Sequence, residues 1–483
     1  MRSLSRPLCL LLLCIVCDAV HAEVHGNGVG QLLLSDLFAP SGFIALLTTL
    51  LLLAYLPAKR ASSVYLPVAL MPVKSVQWVR TATSLTSMCF FFVLIIIGVA
   101  GSRDPLANPL PMYLWTVWWV IIVALHGLFG NLWYYLNPWS GLVTVSKLIL
   151  PETAVTDRTS EASAELKRVG VLPAIIVFVL FALFYFVYPA PSDPFRLALI
   201  VSTYWVVTFI AMCWYGEQAW ANRGEFITII SRAYARLAPV GLIQKRPTVA
   251  VLHIGFPGWQ FVYESQNRPI RYSTAVFFLL LSGVATFAIF SDTQLWYQVI
   301  GVDPLSPIGR SAVLWHNTIG LIVVNVALIA LFSLSVLLGS ALAQNRANPV
   351  SRRLAFGMLA GAVLPLALAC HVSRYLSEFT AGSVQRITAS TDPYLHQSGI
   401  PPLGNPLVVV ETLLSNLPVG MLCFFQMGLL VAGHTVAISL AYSGAIRIYG
   451  NAGRAIRCIL PVACFLLAHT CLGLLLLALP RVV

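Results

Sequence analysis

Chemistry in this chain is to be sought where histidine and arginine interrupt apolar sequence. Of its nine histidines, His126, His316, His371, His434 and His469 fall within long hydrophobic stretches. Neutral imidazole is the commonest metal ligand and a general base near neutral pH, so several at membrane depth point to a site. A single one is more often a helix-to-helix hydrogen bond. The run His371-Val-Ser-Arg374-Tyr-Leu-Ser-Glu378 sharpens the question. Positions i, i+3 and i+7 share one helix face, which aligns an imidazole, a guanidinium and a carboxylate. Arg374 and Glu378 also stand at the i, i+4 spacing of an ion pair. The bland reading is a snorkelling arginine paired at a helix end. The functional reading is a catalytic group in which His371 is ligand or base, Arg374 holds an anionic oxygen and Glu378 stands beside them.

A further ligand set arises at the amino end. Arg2 and Arg6, the apolar run from Leu8 to Val16 and the small residues around Val20-His21-Ala22 make residues 1–22 a secretory signal. Cleavage after Ala22 leaves Glu23-Val24-His25. Its amine, amides and third-position imidazole suit the square plane of Cu(II) or Ni(II). The metal-ligand candidates are therefore His25, His316, His371, His434 and His469, with a divalent ion as the expected cofactor.

These residues sit in a chain of 483 residues that is 59% hydrophobic and only 10% charged. Soluble domains carry about 25% charged residues, so most of this surface faces lipid. The expected fold is all-α, a polytopic membrane bundle, because only helices and closed barrels satisfy their backbone in hydrocarbon. Ten spans of about 20 residues fit near 40–57, 84–101, 112–130, 170–189, 196–216, 274–290, 312–340, 354–375, 417–441 and 456–479. Residues 23–483 thus form one transmembrane domain.

Basic residues test that count. With the mature amino end outside, the cytoplasmic connections hold Lys59, Arg60, Lys74 and Arg80; Lys147, Arg158, Lys167 and Arg168; Arg223, Arg232, Arg236, Lys245, Arg246, Arg268 and Arg271; Arg346, Arg352 and Arg353; and Arg447, Arg454 and Arg457. The opposite connections hold Arg103, Arg196, Arg310 and Arg386. This asymmetry predicts both mature termini in the periplasm of a bacterial inner membrane. It also accounts for the net charge of +12 without nucleic acid, for which no motif is present. The ten cysteines lie in the leader or in spans, with no CxxC, and read as small apolar fillers.

Several local features carry expectations. Residues 225–243, EFITIISRAYARLAPVGLI, have apolar spacing with interleaved arginines and predict an amphipathic helix lying on the anionic inner leaflet. Residues 376–416 are rich in Pro, Gly and Ser and read as an irregular lid. Gly357-Met-Leu-Ala-Gly361 is a GxxxG pattern for close helix approach. Val123–Leu142 holds His126, Asn131 and Asn137, but the span count puts it at the cytoplasmic interface. Trp133, Tyr134, Tyr135 and Trp139 there predict an aromatic belt, and Pro138 a helix end. No P-loop, Rossmann glycine pattern, GxSxG or HExxH occurs. No carboxylate lies mid-span, which counts against coupling through buried acids.

Four stretches carry a family likeness: His25-Gly26, Gly130–Leu142 (GNLWYYLNPWSGL), Leu364–Leu376 (LPLALACHVSRYL) and Phe424–Ile446. Within them Leu136-Asn137-Pro138-Trp139 and the set Gln426, Gly428, Gly433 and His434 match the family pattern. On these residues the chain resembles the bacterial integral membrane fenitrothion hydrolases, enzymes that cleave organophosphorus triesters. The resemblance implies a membrane-bound hydrolase of a small apolar organophosphorus substrate, with a related second membrane subunit as an expected partner. Phosphotriester hydrolysis needs an activated water and positive charge on the phosphoryl oxygen, and a divalent metal supplies both. The expected ligands are His316, His371 and His434, with Arg374 on the developing charge. The alternative is a non-catalytic transporter or copper-handling protein.

Overall fold

The backbone of an apolar helix satisfies its own hydrogen bonds, and that requirement organises the chain. The computed structural model describes residues 29–74, 77–149, 156–246, 249–267, 270–305, 309–344, 349–378 and 419–482. Among them nine helices are long and apolar enough to cross a membrane, and a pair bent by 66° supplies a tenth. We label the ten α1 (Val29–Tyr55), α2 (Gln77–Ala100), α3 (Pro109–Phe129), α4 (Leu172–Phe186), α5 (Pro194–Tyr215), α6 (Tyr272–Phe290), α7 (Leu314–Ala343), α8 (Arg352–Leu376), α9 (Val419–Tyr449) and α10 (Ala452–Ala478). All ten coincide with the spans read from hydropathy, and the fold is the all-α membrane bundle expected. The signal sequence, His25 and most of 376–416 lie outside the described residues.

The helices fall into two groups. Helices α2, α3 and α5 pack together, α1 and α6–α10 form a second, tighter group, and α4 lies between them, near α6 and α7 and with its rings against those of α3. Helix α8 is enclosed along nearly its whole length. It is interrupted by a short 3-10 turn at Gly361–Val363. A Cβ on Gly361 would overlap the Phe261 ring, and one on Gly357 would lie 2.4 Å from the Ile270 carbonyl. The GxxxG pattern therefore does permit close approach, though toward the segment leading into α6 rather than toward another full span.

Gln426 and Gly433 of α9 lie at a packing seam with α8. Gln426 Nε2 donates to the Ser373 carbonyl at 2.6 Å, and Ser373 Oγ returns a bond to the Gln426 carbonyl at 3.0 Å. Gly433 lets α9 settle on Ala369 and Pro365 of α8.

Two features of the basic face differ from expectation. Residues 225–243 do not lie on a leaflet. Only Phe226–Ala235 is helical, it is buried on both faces, and it packs against α3, α4 and α8. Its amphipathic pattern arises because Arg232 and Arg236 point into cavities, not because one face meets lipid. Glu225, fully buried, caps this helix through the Ile227 and Thr228 amides at 2.9 and 2.7 Å and accepts from Tyr204 at 2.6 Å. The chain then turns into a three-stranded antiparallel sheet, ordered β1 (Val68–Lys74), β3 (Val249–Ile254), β2 (Val240–Arg246). His253 lies in β3 and bonds the Val251 carbonyl.

The 123–142 stretch is also revised. Tyr134 and Tyr135 are exposed as a belt requires, but Trp133 and Trp139 are buried. Trp139 Nε1 donates to the Trp205 carbonyl at 2.9 Å, and Asn137 Oδ1 receives the Trp139 amide at 3.0 Å. His126 donates through Nδ1 to the Ile122 carbonyl at 2.5 Å and accepts the Trp133 amide at 3.0 Å. Both ring nitrogens are thus spent on holding the break after α3, where Gly130 takes φ +85°.

Helices α7 and α10 meet at Gly339, where a Cβ would lie 2.0 Å from the Cys458 carbonyl oxygen. Backbone there cannot move aside. Gly339→Ala is expected to destabilise the protein by about 2 kcal/mol through overpacking. Gly428→Ala on α9, with open space around it, is expected to be neutral or slightly stabilising. Thermal unfolding of both variants in one detergent checks this; equal melting temperatures would remove the packing argument.

Candidate functional site

The seam between the two helix groups holds, at the end away from the arginine-rich face, a cavity of about 470 Å³, called the outer cavity below after the orientation expected from sequence. It lies on the face that carries few basic residues. Its walls come from α3 and α4 on one side and from α6, α7 and α8 on the other. Arg374 and Tyr375 bring the end of α8 to it, Asp292 follows α6, and Arg310 precedes α7. Tyr185, Phe186, Trp115 and Tyr297 give it aromatic sides.

Arg374 is the centre of the arrangement. Its Nη2 lies 2.7 Å from Asp292 Oδ2, and its Nε donates to the Ala288 carbonyl at 3.0 Å. Its guanidinium also lies 4.9 Å from the Tyr375 ring centroid and 5.7 Å from that of Phe186, within cation–π range. Asp292, in the loop that follows α6, is a tertiary partner that helix spacing does not supply. The side chain of Glu378 lies outside the described residues. Beside Arg374, Trp119 Nε1 donates to Tyr375 Oη at 3.0 Å, and Tyr375 Oη in turn donates to Tyr185 Oη at 3.0 Å. This chain ties α3, α8 and α4 together under the cavity. Arg374 and Arg310 against Asp292 leave an excess of one positive charge among the described lining residues. Such a cavity favours an oxygen that carries or develops negative charge.

His371 is one turn below and faces away. Its Nε2 donates to the Trp119 carbonyl at 2.9 Å, and its ring meets those of Trp119 and Tyr375 edge-on at 5.1 and 5.0 Å. The Trp119 carbonyl belongs to a π-helical stretch, Tyr113–Ile122, within α3. Wide turns of this kind are rare and concentrate at functional sites. This one supplies Trp115, Thr116 and Val120 to the cavity wall, and its Trp119 holds the lining residue Tyr375. Nothing in the sequence of Tyr113–Ile122 distinguishes it from an ordinary apolar helix.

The other histidines among the described residues do not line the cavity. His434 is fully buried between Thr49 of α1 and Thr470 of α10, 2.8 Å from each hydroxyl. Each threonine also reaches its own backbone, Thr49 to the Ala45 carbonyl at 2.9 Å and Thr470 to Leu466 at 2.8 Å. His469 of α10 meets Thr286 of α6 at 2.9 Å through Nε2, while its buried Nδ1 has no partner among the described residues. These two rings stitch α1, α9, α10 and α6 together, the helix-joining role of intramembrane histidine. His316 is exposed at the start of α7.

Among the described residues, no three His, Cys, Asp or Glu side chains converge so as to hold a metal ion. The set His316, His371, His434 and His469 thus does not fit a common divalent ion, and no step is derived through one. His25 lies outside the described residues. Asp292, Tyr375, Tyr185 and Arg310 are cavity residues that spacing alone did not single out, as is Trp119, which bonds Tyr375. Asp292 bears a faint signal, an acid just past the end of a span, but its pairing with Arg374 is a tertiary fact.

Replacing His434 by Ala removes two buried hydrogen bonds and the ring volume. We expect a loss of about 2 kcal/mol of stability with ligand binding in the outer cavity unchanged. Thermal unfolding and binding measured on the same preparation separate the two; loss of binding at unchanged stability would return His434 to the site.

Compared with known proteins, the chain matches no family model, no curated protein and no solved structure.

Proposed function

We propose that this protein is a membrane-bound hydrolase of small apolar esters, organophosphorus triesters in particular. On this reading it sits in a bacterial inner membrane with the weakly basic face outward and works in the outer cavity. The observation that carries the proposal is the Arg374–Asp292 pair set among aromatic walls in a cavity of about 470 Å³. A neutral triester with an aryl leaving group matches both halves of that description. Its ring lies against Trp115, Tyr185 and Tyr297. Its phosphoryl oxygen turns to Arg374 and Arg310, which stabilise the charge that develops there as a nucleophile adds.

The reaction is then written with this chain's own groups. Water attacks phosphorus while the Asp292 carboxylate accepts its proton, and the bond from phosphorus to the aryl oxygen breaks. The departing phenolate takes the proton back, which leaves a phosphodiester and a phenol. Arg374 serves both partners, since it orients the Asp292 carboxylate and faces the phosphoryl oxygen. Carboxylates act in this way when held within hydrogen-bond reach of the attacking water. His371 is a positioning residue here, fixing the Trp119 carbonyl and hence the π-helical wall.

A second reading is binding or uptake without turnover. One observation favours it: Arg374 and Asp292 already neutralise each other, and no histidine is among the described lining residues. Copper handling is the weaker form of this alternative, because His434 and His469 are already bonded to threonines.

Purified protein in lipid nanodiscs, assayed with paraoxon and fenitrothion, decides between them. The hydrolase reading expects turnover that falls about 100-fold or more in both Arg374→Ala and Asp292→Asn, with folding checked by thermal unfolding. Full activity in both variants sinks the site. Saturable binding of the triester with no turnover in the unaltered protein establishes the second reading instead.

A further inference from the structure

The basic face holds two adjoining cavities that the outer site does not use. The first, about 350 Å³, is lined by Arg223, Arg232, Arg236 and Arg271 over an apolar floor of Ile229 and Phe278. The second, about 370 Å³, shares Arg232 and Arg236 with it. They lie where the ends of α4 and α6 meet the buried 226–235 helix.

Acidic groups are few among the described lining residues. Arg236 pairs with Glu264 at 2.8 Å, and Glu264 is half exposed. Arg232 bonds the neutral amide of Asn222 among its contacts. Arg271 donates to the Lys167 carbonyl at 2.7 Å, also neutral. The side chain of Arg223 makes no hydrogen bond to any described residue. Burial and the neighbouring Arg271 charge lower its pKa from the ordinary arginine value. Among the described lining residues, four guanidinium groups share the two cavities with one carboxylate, that of Glu264. Mutual repulsion of this kind is relieved when an anion enters, and guanidinium matches phosphate oxygens in bidentate fashion.

The surroundings indicate the source of that anion. Leu172 and Ile176 of α4 and Tyr272 of α6 are exposed beside the cavity. These are groups that lie against acyl chains and the interfacial zone. An anion entering here has a charged head in the cavity and an apolar body along α4. Basic pockets between membrane helices take anionic lipid headgroups in this manner.

We infer that the paired cavities bound by Arg223, Arg232, Arg236 and Arg271 form a binding site for the phosphate headgroup of an anionic phospholipid. The two cavities sharing Arg232 and Arg236 suit a lipid carrying two phosphates better than one carrying one. The site is independent of the outer cavity and of any reaction there.

The test uses the full chain, purified, delipidated and returned to nanodiscs of phosphatidylcholine with added diphosphatidylglycerol or phosphatidylglycerol. Native mass spectrometry reads retained lipid. Retention of the anionic lipid, stronger for the two-phosphate form, is expected. It should fall about tenfold or more in the double variant Arg223→Gln with Arg232→Gln. Arg353→Gln, an exposed arginine of the same face, should change it less than about twofold. If the double variant does not fold, Arg271→Gln at the exposed rim supplies the same test with a smaller loss. Unchanged retention in the folded pocket variants overturns the site, as does an equal loss in Arg353→Gln. Displacement of the lipid by millimolar inorganic phosphate would also overturn it, since the cavities would then serve a soluble anion.

Discussion

A guanidinium carried to the end of a span enclosed on nearly every side costs several kcal/mol in lost hydration unless its donors are met. Arg374 meets that demand with the Asp292 carboxylate, the Ala288 carbonyl and the faces of two aromatic rings. Those partners come from α6 and its following loop, from α4 and from α8 itself. Satisfying one side chain thus fixes how three spans end relative to one another. The cavity is what remains between those ends and the π-helical part of α3.

The same rule, that polar groups in hydrocarbon find partners within the protein, explains the interior. His434 joins α1, α9 and α10, His469 joins α10 and α6, and Gln426 with Ser373 locks α8 to α9. These links hold the second helix group rigid. The first group is held by aromatic packing and by Glu225, which gathers Tyr204, Thr228 and the start of the buried helix. The cavity beside Arg374 lies at the seam of the two groups, the position where helix bundles commonly open a ligand site.

Hydropathy made the ten spans legible, because length and apolarity are local properties of the chain. The face asymmetry of Lys and Arg was legible for the same reason. Arg374 was found because a charge near a span end stands out. Its partner was not, since Glu378 satisfies helix spacing while Asp292 is near only after folding. Histidine is ambiguous in one dimension. A ring that ligates and a ring that ties helices have the same neighbours in sequence, and only the threonines opposite His434 and His469 tell them apart. The π-helix of α3 and the strands on the basic face escaped because their compositions fit an apolar helix and a connecting loop equally well. The 226–235 segment misled for a physical reason: arginines facing a cavity give the same periodicity as arginines facing a leaflet.

Trp115 is a wall with two sides. One side faces the outer cavity and the other an apolar groove of about 580 Å³ between α2, α3, α4 and α5, bordered by exposed Phe90. Among the described residues, Trp115 is the side chain that lines both spaces. For a compound arriving through the groove, the relevant concentration is its mole fraction in lipid rather than its molarity in water. Each added methylene, worth about 0.8 kcal/mol on transfer, raises that local level about fourfold. Along a homologous series, apparent selectivity would then follow oil–water partitioning before it followed any contact the cavity makes.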